Sequence, residues 1–265
     1  MKIFDLKMYF LLIKMTLRSM MQYRADFWAS LLGVFVLNGA NLIQMGVISW
    51  KFTSLGEWQM GDLMLLYGLY MISLSMYSVF FNHITSLETE IADGTFDKYL
   101  FRPMSPFVQF FGNEIRYVGI SDTILGICLL VVGKTMSGIR WGWLDALWLV
   151  IFIVCGCTII TCVRLILSCV SFWVVKSNVL QSMLMQVLLL TQKYPTSIFG
   201  DVLKAFGTGI IPVAFMNYYP AVMLLRKADE PAWMCMMSPL IAGGLVVISA
   251  YVWRKGIKRY GSAGG

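Results

Sequence analysis

From Trp143 to Val175 the chain runs almost without charge, and as one helix at 1.5 Å per residue this stretch would measure roughly 48 Å. The hydrocarbon core of a bilayer is only about 30 Å thick and takes about 20 mostly apolar residues of helix. Such a run has no place in a water-soluble fold, and it must tilt, break or project into the cytosol. Five further apolar runs lie at about 27–50, 63–81, 117–136, 178–192 and 239–253. In lipid every backbone N–H and C=O must find a partner inside its own segment, so runs of this length predict helices, not strands. The expected fold is all-α: a polytopic membrane protein of six transmembrane helices forming one permease-sized domain over 1–265.

Composition agrees. Of the 265 residues 58% are hydrophobic and 13% charged, against roughly a quarter charged in a soluble domain. The formal charge of +7 could point to nucleic acid, but in a membrane chain Lys and Arg first report orientation, and no soluble basic module is present. We therefore expect lipid and protein partners and no nucleic acid. The cysteines (Cys128, Cys155, Cys157, Cys162, Cys169 and Cys235) lie mainly in or beside apolar runs, where a thiol acts as a small hydrophobe. Residues 1–24 interleave Lys2, Lys7, Lys14, Arg18 and Arg24 with Phe10, Leu11, Met15 and Leu17. That pattern predicts an interfacial helix, not a cleaved signal peptide.

Two segments break the apolar rhythm. Residues 86–106, SLETEIADGTFDKYLFRPMSP, crowd four carboxylates around Gly94 and end on Pro103 and Pro106. The pattern predicts a short helix, a turn at Asp93-Gly94 and a second short helix on the cytosolic side. Residues 193–225 carry Pro195, Pro212 and Pro220 with Gly200, Gly207 and Gly209 among apolar residues. Irregular backbone at membrane depth survives only inside protein or beside a wet cavity, so a re-entrant element is expected. With both termini cytosolic, seven of the 21 Lys and Arg fall outside (Lys51, Lys134, Arg140, Lys193, Lys204, Arg226 and Lys227), a two-to-one inside bias.

Catalytic chemistry is sparse. Gly133-Lys134-Thr135 resembles the end of a P-loop, but its first glycine would fall at Cys128, and the triplet ends an apolar run instead of joining strand to helix. Any ATP and Mg²⁺ would then belong to a partner chain, with no cofactor or metal in this one. His83 is the sole histidine; a serine hydrolase would need it beside a residue such as Ser137, which the topology puts on the other face. Cys155-Gly156-Cys157 could hold a soft metal, but small residues within a span chiefly let helices pack closely. Arg164, inside the longest run, either lines a translocation path or pairs between helices, or else marks the membrane boundary and snorkels.

The order of segments, and two motifs, resemble the type-2 ABC exporter permeases. Gly94, Asp97, Leu100, Arg102, Pro103, Ser105 and Pro106 resemble the G-x-x-D-x-x-L-x-R-P-x-S-P signature of one bacterial branch. The second motif runs Tyr194-Pro195-Thr196-Ser197-Ile198-Phe199-Gly200, then Ile211-Pro212-Val213-Ala214-Phe215 and Tyr219-Pro220-Ala221. The resemblance implies an exporter subunit for a hydrophobic or amphiphilic substrate in the bacterial cytoplasmic (inner) membrane. Two copies of an ABC ATPase subunit and a second permease, different or identical, would complete it. It implies a coupling helix at about 86–103, with Glu88, Glu90, Asp93, Gly94, Phe96, Asp97, Lys98, Tyr99, Arg102 and Pro103 serving the ATPase contact. Tyr194, Pro195, Gly200, Pro212, Phe215, Tyr219 and Pro220 would form an extracellular-side gate. The competing reading is an ion-coupled carrier or channel without ATPase, for which Arg164 and Asp122 are the ionisable candidates.

Overall fold

The computed structural model describes residues 24–51, 58–101, 105–111, 118–174, 178–191, 194–195, 205–228 and 230–261. The interfacial helix expected over most of 1–24 lies outside them, as do Arg102, Pro103 and Gly200. The architecture is all-α: α1 (Arg24–Lys51), α2 (Met60–Phe80), α3 (Leu87–Ala92), α4 (Pro106–Phe111), α5 (Val118–Met136), α6 (Trp143–Cys169), α7 (Asn178–Thr191), α8 (Tyr218–Leu224), α9 (Ala232–Cys235) and α10 (Ser238–Arg259). Among the described residues, four helices are long and apolar enough to cross a membrane: α2, α5, α6 with its continuation, and α10. The remaining two apolar runs form α1 and the shorter α7, whose 14 residues rise only about 21 Å.

α2 is the axis of the bundle. Apolar residues occur all round it, the pattern of a helix enclosed by others, and Leu65, Leu66 and Leu69 are fully buried. It runs antiparallel to α5 at a separation set by glycine. Gly61, Gly68 and Ser75 on α2 and Gly119, Gly126 and Gly133 on α5 repeat at intervals of seven, so each trio stays on one face. A Cβ added at Gly68 would sit 2.8 Å from the Leu130 amide nitrogen, and one at Gly133 2.5 Å from that of Leu65. Backbone therefore touches backbone along the pair. Ser75 Oγ and Thr123 Oγ1, 2.8 Å apart, share a hydrogen bond across it.

α6 resolves its excess length by projecting. Ser168 Oγ donates to the carbonyl of Ile84 at 2.9 Å, a residue already past the end of α2. The chain beyond Ser168 continues through a 3₁₀ turn, Val170–Phe172, past the level where α2 stops. Gly156 of the Cys-Gly-Cys triplet serves close packing: a Cβ there would meet Ser73 Oγ at 2.5 Å and the Met216 carbonyl at 3.1 Å.

From Pro212 to Val222 the interrupted segment packs inside the protein. A π-helical turn (Phe206–Ile210), a 3₁₀ turn (Val213–Phe215) and the seven-residue α8 are too short to span. Val213 to Val222 are all buried. The polar Asn217 among them is satisfied, its Nδ2 donating to the Thr191 carbonyl at 3.0 Å.

Candidate functional site

Two constructions close the two ends of the bundle. At the first, the acidic segment forms a compact knob. A 3₁₀ turn (Asn82–Ser86) leads into α3, Gly94 takes φ 69° to reverse the chain, and a second 3₁₀ turn follows over Thr95–Tyr99. The left-handed conformation at Gly94 is one that a Cβ disfavours. Helix, turn and second short helix match the sequence expectation.

Glu90 holds the knob together. Its Oε1 receives His83 Nε2 at 3.1 Å, Lys98 Nζ at 3.2 Å and Tyr99 Oη–H at 3.2 Å. Burial alone would raise its pKa, but the His83 and Lys98 contacts outweigh that and hold the carboxyl below its ordinary value. His83 also lies within reach of the Tyr99 hydroxyl (3.2 Å) and of Ser86 Oγ (3.2 Å). The histidine is thus a structural member of this network. Ser137 donates to Asp62 at the other end of α2, so the two are not brought together.

Phe96 anchors the knob to the bundle. It is fully buried, with its ring centroid 5.5 Å from Tyr99, 5.5 Å from Phe172, 6.2 Å from Trp253 and 5.1 Å from Tyr260. The last three belong to the ends of α6 and α10. Gly256 makes room for the arrangement, since a Cβ there would fall 2.3 Å from the Phe172 ring. Tyr260 Oη donates to Asp97 Oδ1 at 2.9 Å; burial, then the Asp97 carboxylate, push that phenol up to about 12. Glu88 accepts from the backbone N–H of Asn178, tying in the start of α7.

The residues assigned to the knob therefore divide. Glu90, Phe96 and Tyr99 face inward and position it, and Glu88 and Asp97 are half-buried and tied to α7 and α10. Asp93 and Lys98 are exposed, together with Thr89, Ala92, Thr95, Leu100 and Phe101. Phe101 is 85% exposed, more than any other large apolar side chain among the described residues. Sequence reasoning missed it; the signal was an aromatic side chain next to a charged, proline-stopped turn.

At the opposite end, α2 and α6 both begin with an aspartate that caps the helix: Asp62 Oδ2 receives the Gln59 amide at 3.1 Å and Asp145 Oδ2 the Gly142 amide at 2.8 Å. The two cations after α8 reach these same carboxylates. Lys227 Nζ lies 3.0 Å from Asp62, nearly buried on both sides, and Arg226 Nη2 lies 3.3 Å from Asp145. The backbone makes this possible: Lys227 N–H bonds the Val222 carbonyl at 3.0 Å and Arg226 N–H that of Met223 at 3.1 Å. This is a Schellman cap, with Arg226 at φ 55° where glycine is usual. Arg226→Gly should relieve about 1 kcal/mol of backbone strain while losing an exposed ion pair and a long, exposed hydrogen bond to the Arg140 carbonyl, so thermal unfolding of the purified chain should rise slightly. A fall would mean that the Asp145 pair outweighs the strain.

Of the expected gate residues, Pro212, Phe215, Tyr219 and Pro220 are buried in this packed segment, with Phe215 and Tyr219 ring centroids 4.5 Å apart. Pro195 is buried and Tyr194 half-buried. Arg164 is only 8% exposed. Its guanidinium stands over the Tyr77 ring at 4.9 Å, and Nη2 touches Met185 Sδ at 3.5 Å. No carboxylate among the described residues pairs with it.

Comparisons with curated proteins and with solved structures return no match. The family model described as ABC-2 family transporter protein matches residues 35–264, a stretch that takes in the α2/α5 pair, the knob, the buried α8 segment and α10. With most of its length matched, this multi-pass membrane chain belongs to the ABC-2 transporter family and is a permease component.

Proposed function

We propose that the chain is the permease half of an ATP-driven exporter, with the knob at 86–106 as the surface that a nucleotide-binding subunit grips. The observation that carries this reading is the knob's construction. A coupling element must be stiff toward the spans and open toward its partner. Glu90 ties the knob together from within, Phe96 fastens its inner face to the ends of α6 and α10, and Asp93, Lys98, Leu100 and Phe101 are left on the outer face. Force on that face passes directly into two spanning helices.

In this arrangement the knob and both termini are cytosolic, in a bacterial inner membrane. ATP and Mg²⁺ sit in two copies of the partner, and a second permease, the same chain or a similar one, completes the pore. The segment buried from Pro212 to Val222 lies toward the external side, where Phe215, Tyr219 and their neighbours close the pathway. The substrate is hydrophobic or amphiphilic.

The test is co-purification from the native membrane. A P-loop ATPase should remain bound in mild detergent, and Phe101→Ala with Asp93→Ala should weaken its retention at least tenfold while the thermal unfolding of the permease is unchanged. Aromatic anchors commonly carry 2 kcal/mol or more of an interface, roughly thirtyfold in affinity. Retention unaffected by either change would reject the knob as the docking surface. A chain that moves substrate alone on an ion gradient would instead support the carrier reading, which Asp122 beside an intramembrane cavity favours.

A further inference from the structure

A cavity of about 280 Å³ opens between α1, α2, α5 and α7. Its size is a little under the 300–1,000 Å³ typical of sites that enclose a whole small molecule, so it suits the head of a larger ligand. The polar wall is Asn38, Asn41, Tyr67, Tyr70, Ser75 and Asp122; Leu74, Met185 and Leu189 are part of the apolar remainder.

This wall is built, not incidental. Tyr67 Oη donates to Asn38 Oδ1 at 2.7 Å, and Asn41 Nδ2 lies 3.4 Å from both Asn38 Oδ1 and Tyr67 Oη. Asn38 and Asp122 line the same wall. The Tyr67 and Tyr70 rings stack, 6.3 Å apart at 14°, and form an aromatic wall. Asp122 is the one ionisable carboxylate or cation among the lining residues. Arg164 stands behind Met185, which lines the wall and receives its Nη2. The cavity thus offers a carboxylate and amide oxygens, backed by the two nearly buried tyrosine rings, beside an apolar side of Leu74, Met185 and Leu189. A carboxylate in a low-dielectric site calls for a counter-charge, and tyrosine rings attract organic cations.

We propose that this cavity receives the ammonium head of a cationic amphiphile, with Asp122 as counter-charge and Tyr67 and Tyr70 as aromatic walls. The proposal rests on the permease reading and gives it a substrate class. Selectivity then comes from charge at the head, while the tail leaves along Leu74, Met185 and Leu189.

The experiment measures equilibrium binding of radiolabelled decyltrimethylammonium, and of decylsulfonate as its anionic counterpart, to the purified chain in phosphatidylcholine nanodiscs. Empty discs supply the background. The cation should bind saturably and the sulfonate should not. Asp122→Asn, nearly isosteric, should weaken the cation at least tenfold with no change in thermal unfolding, and Asp122→Glu should recover most of the affinity. Tyr70→Leu provides a second variant that keeps the carboxylate and should weaken the cation severalfold. Equal cation binding by Asp122→Asn, saturable sulfonate binding of similar strength, or no saturable cation binding to the unmodified chain would each overturn the site. The permease reading would survive any of these if an ATPase still co-purifies, so the two can fail separately.

Discussion

Gly133→Ala is expected to destabilise the bundle by about 1–3 kcal/mol, the usual range for overpacking a filled interior, and the same change at Gly243 is expected to stabilise it by up to about 1 kcal/mol. One methyl group is added in each case. At Gly133 the new carbon falls 2.5 Å from the Leu65 nitrogen and 2.7 Å from the Gly61 carbonyl oxygen, whereas nothing lies within 4 Å of the corresponding carbon at Gly243. The obstructing atoms at Gly133 are backbone, so no side chain can rotate aside, and α2 and α5 must separate. Separation would also lengthen the 2.8 Å contact between Ser75 and Thr123. Thermal unfolding of the two variants in one detergent decides the matter. If Gly133→Ala were as benign as Gly243→Ala, the close backbone packing of α2 on α5 would be wrong.

That packing was written in the sequence and passed unread. Each trio, Gly61-Gly68-Ser75 and Gly119-Gly126-Gly133, keeps a strict seven-residue spacing. Only the knowledge that the two runs pair antiparallel turns the spacings into an interface. The position of the spans was legible because lipid imposes length and apolarity locally. The knob was legible because its charges and Gly94 lie together in the chain. What stayed hidden depends on distant contacts. Arg226 and Lys227 meet Asp145 and Asp62 from far along the chain, and no local pattern announces that two capping carboxylates will share consecutive cations. Orientation was equally hidden: Glu90 and Lys98 look alike as charged loop residues, yet one is buried at the centre of a network and the other is exposed. In the membrane interior the sequence put Arg164 forward as the path residue and mentioned Asp122 only as a carrier candidate. The fold sets Asp122 in the cavity wall and Arg164 behind Met185.

Phe96→Ala is expected to separate stability of the knob from stability of the bundle. Phe96 is fully buried, and Phe→Ala in a core typically costs about 3–5 kcal/mol. Its aromatic neighbours come from four places: Tyr99 within the knob, Phe110 on α4, Phe172 beyond α6, and Trp253 and Tyr260 on the last turns of α10 and just after it. Removing the ring empties the joint between knob and helices while leaving the α2/α5 contacts untouched, so the loss should be local. Hydrogen exchange over 87–101 should accelerate by two orders of magnitude or more, since every 1.4 kcal/mol is a factor of ten. Exchange over 60–80 should stay as it was. If the knob transmits force, its exposed face can still hold a partner, but motion imposed there no longer reaches α6 and α10. The variant should therefore retain bound ATPase and lose the transport that hydrolysis drives, whereas Phe101→Ala should lose the ATPase itself. Rapid exchange in 87–101 with transport intact would show that the joint is not a path of force, and slow exchange would show that Phe96 is not its anchor.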